Sequence, residues 1–151
     1  MFDMEPEVLE RFTWYMREHS ALTIMFHTKV AEQMGLSATD EKCLDLAIRA
    51  EGPLTAGRIA ELSGLSTGAV TGVIDRLERA GYVRRVRDPH DRRKVLVEVT
   101  PAEFVKFGHL FEKAQASLVE VLGHFDSAEL EVIERYLKLQ VETFRKRVID
   151  T

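Results

Sequence analysis

A chain of 151 residues that is 45% apolar and 30% charged has the composition of one globular domain able to bury a core. No apolar run approaches the length of a membrane span, and the N-terminal stretch MFDMEPEVLE is too acidic for a secretory signal. The single cysteine, Cys43, excludes an internal disulfide and fits a reducing, cytoplasmic setting.

The first predicted element is a long helix over Glu5–Gln33, which has no glycine and only Pro6, at its very start. Its apolar residues, among them Leu9, Phe12, Trp14, Tyr15, Leu22, Ile24 and Met25, are too many for one face. Such a helix needs more than one neighbour, and in a small protein a second subunit is expected to supply the other. Gly35 ends it. Ser37-Ala38-Thr39-Asp40 then restarts a helix by hydroxyl capping, with Cys43, Leu44, Leu46, Ala47 and Ile48 as its inward face. Gly52-Pro53-Leu54 reads as a separator.

From Thr55 the pattern is helix, tight turn and second helix, with the turn at Ser63-Gly64-Leu65 and Ser66 placed to cap the second helix. That helix puts Val70, Val73, Ile74 and Leu77 on one side and Thr67, Gly68, Thr71, Gly72 and Asp75 on the other. Each glycine inside a helix costs roughly 1 kcal/mol against alanine. Two of them four residues apart on an exposed face make sense if something bulky must approach the backbone, and a duplex major groove is such a thing.

Gly81 supplies the next stop, Tyr82 to Arg87 reads as a strand, Asp88-Pro89-His90-Asp91 as a turn, and Lys94 to Val99 as the returning strand. Between Arg76 and Lys94 stand eight Lys/Arg and three Asp/Glu, a local charge of +5 in a chain whose net charge is −4. The local stripe is the informative quantity for a polyanionic partner, not the total. Beyond the hairpin, Thr100-Pro101-Ala102-Glu103 combines a capping box with proline at the first helical position. Phe104, Phe107, Phe111, Ala114, Leu118, Val121 and Phe125 follow in three–four alternation. Asp126 caps another helix, on which Leu130, Ile133, Leu137, Val141, Phe144 and Val148 repeat it.

The residues suited to duplex DNA are Ser66, Thr67 and Thr71, whose hydroxyls can meet phosphates or base edges, and Arg76, which can reach a phosphate or a guanine. Gly68 and Gly72 would admit the groove. Asp75 would repel phosphate unless an arginine such as Arg79 pairs with it. The five histidines, His19, His27, His90, His109 and His124, have no paired metal-ligand spacing with one another or with Cys43, so no metal site is expected. Neither a phosphate-cradling loop nor a nucleophile elbow is present, so neither an enzyme nor a cofactor is expected.

Ile59-Ala60…Gly64…Val70, the stretch IDRLERAGYVRR from Ile74 to Arg85, and Asp88-Pro89-His90-Asp91-Arg92-Arg93 followed by Val95, Val97 and Thr100 resemble the MarR-type winged helix-turn-helix transcription regulators. The resemblance spans nearly the whole chain. It implies that Arg92 and Arg93 on the wing contact the groove or backbone, with Asp88 and Asp91 orienting them. His90 departs from the pattern, since many relatives carry arginine there; a minor-groove contact at that position would be pH-sensitive or absent. The resemblance also implies a cleft for a small-molecule effector, which Trp14, Tyr15, Met25, Cys43 and Phe107 could line.

The expected fold is mainly α (α+β). A winged helix-turn-helix over 37–100 is intertwined with a helical dimerisation region built from 1–36 and 101–151. The expected function is a homodimeric, cytoplasmic regulator, a repressor, bound to a pseudo-palindromic duplex operator and released by an effector. The competing reading is a winged-helix module whose arginine hairpin meets an acidic protein.

Overall fold

The computed structural model describes residues 4–101, 105 and 107–151. Its elements are α1 (Pro6–Met34), α2 (Ala38–Arg49), β1 (Leu54–Thr55), α3 (Ala56–Ser63), α4 (Thr67–Arg79), β2 (Val83–Arg87), β3 (Val95–Val99), α5 (His109–Leu122) and α6 (Ser127–Phe144). A single π-helical turn, Arg145–Ile149, follows α6. The fold is mainly helical with one small sheet.

Each helix of the central segment begins where a side chain accepts an otherwise orphaned amide. Ser37 accepts from the Asp40 N–H at 3.1 Å, Thr55 from Arg58 at 3.1 Å and Ser66 from Ala69 at 3.2 Å. The turn between α3 and α4 closes on Gly64, whose φ of 73° lies in the left-handed region that a side chain would strain. Gly81, at φ 86°, does the same after α4, and the Tyr82 amide reaches back to the Leu77 carbonyl at 2.9 Å. At Asp126 a full capping box forms with Glu129.

The sheet is antiparallel in the order β1-β3-β2, with Leu54 opposite Val97, Val83 opposite Val99 and Arg87 opposite Val95. The sequence pattern treats Gly52-Pro53-Leu54 as a bare separator, whereas Leu54–Thr55 is a strand. Two residues are too few to show alternation. Lys94 belongs to the turn instead of the strand, its amide donating to the Asp91 carbonyl at 3.0 Å.

The core gathers Leu44 of α2, Ile59 of α3, Val70, Val73, Ile74 and Leu77 of α4, and Val83 and Val97 of the sheet, all nearly sealed from solvent. Tyr82 is buried with them and donates its hydroxyl to the Met34 carbonyl at 2.8 Å, tying the end of α1 to the sheet. By packing, the chain divides into two compact units, 1–107 and 108–151. In the first, α1 lies on α2 through its C-terminal half, where Val30, Ala31 and Met34 are buried. In the second, neither α5 nor α6 buries a single residue among those described. The helix start expected at 100–103, together with Phe104, lies in part outside the described residues.

Candidate nucleic-acid interface

The face of α4 opposite its core stripe is open. Ser66, Thr67, Gly68 and Thr71 are exposed, and Gly72 is half-buried. A Cβ added at Gly68 would meet nothing within 4 Å, so no contact inside the chain requires glycine there. At Gly72 the same atom would stand 3.3 Å from Nη1 of Arg76. Ser66 spends a lone pair on its cap and keeps its O–H to donate outward. Thr71 instead donates its hydroxyl to the Thr67 carbonyl at 3.0 Å, which leaves its oxygen as an acceptor.

Arg76 sits differently from the other candidates. Its Nε and Nη2 donate to the two carboxylate oxygens of Asp40, both at 2.9 Å. Asp40 is 3% exposed, while the arginine side chain is half in solvent. This fork fastens α4 to the first turn of α2 and raises the already high pKa of the guanidinium.

On the other flank, Arg85 of β2 binds Asp75 and Glu78 of α4 through its guanidinium, and its backbone N–H donates to Glu78 at 2.8 Å. The backbone N–H first, and the guanidinium after it, hold the Glu78 carboxyl below the ordinary glutamate range. Asp75 is thus neutralised by Arg85, where the sequence offered Arg79 as an example.

In the wing turn, Asp88 accepts from the backbone amides of His90 at 2.8 Å and Asp91 at 3.3 Å, and Asp91 accepts from the Arg93 amide at 3.0 Å. Arg87 donates to the Arg92 carbonyl at 3.2 Å. The two carboxylates therefore shape the turn through the main chain, and the Arg92 and Arg93 side chains project into solvent. His90 is exposed beside them.

The five residues named for an effector cleft differ in exposure and surroundings. Trp14 and Tyr15 are 59% and 65% exposed on α1, and Met25 is exposed some three turns further, roughly 15 Å along the axis. Cys43 is buried in the core, where desolvation raises its thiol pKa. Phe107 packs at a tilt against Tyr82, ring centroids 5.9 Å apart. The groove beside Trp14 is lined by Leu9, Glu10, Thr13, Arg17 and Glu18, all from α1 itself. Among the described residues, no three His, Cys, Asp or Glu side chains are grouped as a metal would need, and no helix is long and apolar enough to cross a membrane.

The comparisons with known proteins agree with this geometry. The MarR family profile matches residues 36–95, the segment that carries α2, the helix-turn-helix, β2 and the wing turn. The chain is 40% identical over 117 residues to the uncharacterized HTH-type transcriptional regulator YcgE of Bacillus subtilis, covering 78% of this chain and 75% of that protein. The chain belongs to the MarR family. The multiple antibiotic resistance protein MarR of Salmonella typhimurium is 35% identical over 68 residues, 45% of this chain and 46% of its own length. Among solved structures, a MarR family protein from Bacillus stearothermophilus superposes with a TM-score of 0.71 at 27% identity, over 93% of this chain and 99% of that one. This MarR-family chain is accordingly a DNA-binding transcriptional regulator, and its relatives are regulators, not enzymes.

Three side-chain pairings lie outside what the sequence pattern reveals: the Asp40–Arg76 fork, the Arg85 clamp and the His27–Glu41 pair between α1 and α2. In the last, Nδ1 of His27 on α1 sits 2.9 and 3.0 Å from the two oxygens of Glu41, itself 2% exposed. Burial raises the Glu41 pKa more than the histidine lowers it. Only their spacing, three residues before the buried Cys43 and Leu44 respectively, hinted that Asp40 and Glu41 would be buried.

Proposed function

We propose that the chain is a homodimeric repressor that lays two copies of α4 into successive major grooves of a pseudo-palindromic operator and is released by a small-molecule effector. Ser66, Thr67, Thr71 and Arg76 would meet phosphates and base edges. Gly68 and Gly72 would let the groove approach, and Arg92 and Arg93 of the wing would meet the flanking backbone. A two-fold dimer would set the reading helices about one helical turn apart, roughly 34–36 Å.

The observation that carries this reading is an open, glycine-bearing helix face flanked by cationic side chains, on a chain whose α5 and α6 have apolar stripes with no residue buried. Those stripes suit a second copy. Repression and effector release rest on resemblance to the family, and the buried thiol suits a reducing cytoplasm.

Selection of bound sequences from a random duplex pool tests DNA reading, site symmetry and spacing at once. Two related half-sites about ten base pairs apart are expected; enrichment of nothing, with binding instead to acidic protein, sinks the reading. For the effector, isothermal titration with phenolic or lipophilic compounds should find a binder that weakens operator affinity. Binders that leave the affinity unchanged count against release.

A further inference from the structure

We infer that Asp40 is a positioning residue for base reading: it grips one edge of the Arg76 guanidinium and thereby aims the other at the duplex. The inference rests on α4 being the groove-entering helix. Arginine has five N–H donors in a planar fork. The Nε and Nη2 donors on the inner edge are taken by Asp40 at 2.9 Å each, and a bidentate pair fixes the plane of the whole group. What remains is the distal edge, the Nη1 pair and the second Nη2 hydrogen, which is the edge that reads guanine O6 and N7 bidentately.

The distal edge lies on the reading face. Nη1 is the atom that a Cβ on Gly72 would meet at 3.3 Å, so glycine leaves that nitrogen room beside the helix backbone. Asp40 can serve as the anchor because it does not move easily. It sits at the third helical position of α2, its own amide held by the Ser37 cap, and is 3% exposed. An exposed arginine would otherwise spread over many rotamers and pay to order itself on DNA; this one is ordered beforehand.

The same contacts would also be made if the pair merely stapled α2 to α4, and the two roles differ in what they do to sequence preference. Arg76→Ala first identifies the base position that Arg76 reads in the selected operator. Asp40→Asn keeps the volume and one acceptor but releases the fork; Arg76→Lys keeps the counter-charge on Asp40 and abolishes the fork from the other side.

Both variants are expected to lose preference at the position mapped by Arg76→Ala, by about tenfold, the low end of what a good bidentate pair contributes. Preference at the remaining positions should hold, and for Asp40→Asn so should affinity for random duplex. If wild type and both variants select one and the same motif, or lose all duplexes equally in step with a lowered Tm, the pair is only a staple and the assignment falls. If wild type selects no motif at all, it is the placement of α4 in the groove that fails. Arg76→Lys provides the answer should Asp40→Asn not fold.

Discussion

Residues 37–100 and the helices on either side of them have similar apolar content but opposite fates. In the central segment nearly every large apolar side chain of α4 that points inward is sealed, and the charges that flank the core are paired: Asp40 with Arg76, Asp75 and Glu78 with Arg85. On the first two-thirds of α1, and on α5 and α6, residues such as Phe12, Trp14, Leu118, Leu137 and Val141 stand about half exposed or more. A stripe of alternating apolar residues on a well-capped helix is built to be covered. The helix-turn-helix segment thus buries its apolar stripes within one chain, while much of the apolar surface of the flanking helices stands open.

The sharpest way to break that comparison is to damage each region separately. Ile74→Ala, at a site 2% exposed, should cost about 2–5 kcal/mol of unfolding free energy, because the cavity it leaves is walled by fixed neighbours. Chemical denaturation measures this, and a loss under 1 kcal/mol would mean that the core of the helix-turn-helix segment is looser than described. Leu137→Arg on the exposed stripe of α6 should leave that segment folded. Placed twice across a two-fold seam, it should weaken self-association by about 100-fold or more, at 1.5–3 kcal/mol for each apolar side chain no longer buried. Sedimentation equilibrium decides it. A variant that stays as dimeric as the wild type would show that this stripe is not the seam.

The wing gives a smaller and differently shaped effect. Arg92→Ala with Arg93→Ala should weaken binding to all duplexes alike and flatten the dependence of log affinity on log salt. The slope should fall by up to about 3.6 if all four side chains of a dimer meet phosphates, at about 0.9 each. An unchanged slope would place these arginines away from the backbone.

How legible all this was in the sequence follows from the range of each interaction. The caps at Ser37, Ser66 and Asp126 act over three residues, so residue type and position announce them. The 3.6-residue period likewise announces Val70, Val73, Ile74 and Leu77. Asp40 and Arg76 are 36 residues apart, and residues 76–94 alone offer eight basic side chains, so spacing cannot choose among them. Arg85 was hidden for the same reason, and β1 because two residues carry no period. The effector cleft was read from residue type alone.

Glycine on the reading face separates stability from function. Gly68→Ala meets no atom within 4 Å and stands second in α4, so it should stabilise the fold, by less than the roughly 1 kcal/mol of an interior helix site. The same methyl should weaken operator binding if the groove approaches the backbone there. A more stable variant with undiminished operator affinity would show that the groove does not come so close.

The two flanks of α2 and α4 should also differ in the sign of their pH dependence. The Glu41 carboxyl, facing His27 of α1 and Lys42 and Asp45 of its own helix, is raised above the ordinary glutamate range mainly by burial. The folded state therefore holds that proton more tightly than the unfolded state. Its contribution to stability is full below the ordinary range and is lost as pH rises through the raised value. Glu78 is lowered by the Arg85 amide, so its contribution is full above the ordinary range and is lost as pH falls through the depressed value. Urea unfolding at about pH 4 and about pH 8, either side of the ordinary carboxylate range, checks both at once. Relative to wild type, Glu41→Gln should gain stability on going to the higher pH, because it carries no charge to bury. Glu78→Gln should lose it, because it no longer offers a charge to Arg85. Two variants moving in the same direction would mean that the His27 contact, and not burial, governs Glu41, and that the buried joint between α1 and α2 is held as an ion pair like the exposed joint between α4 and β2.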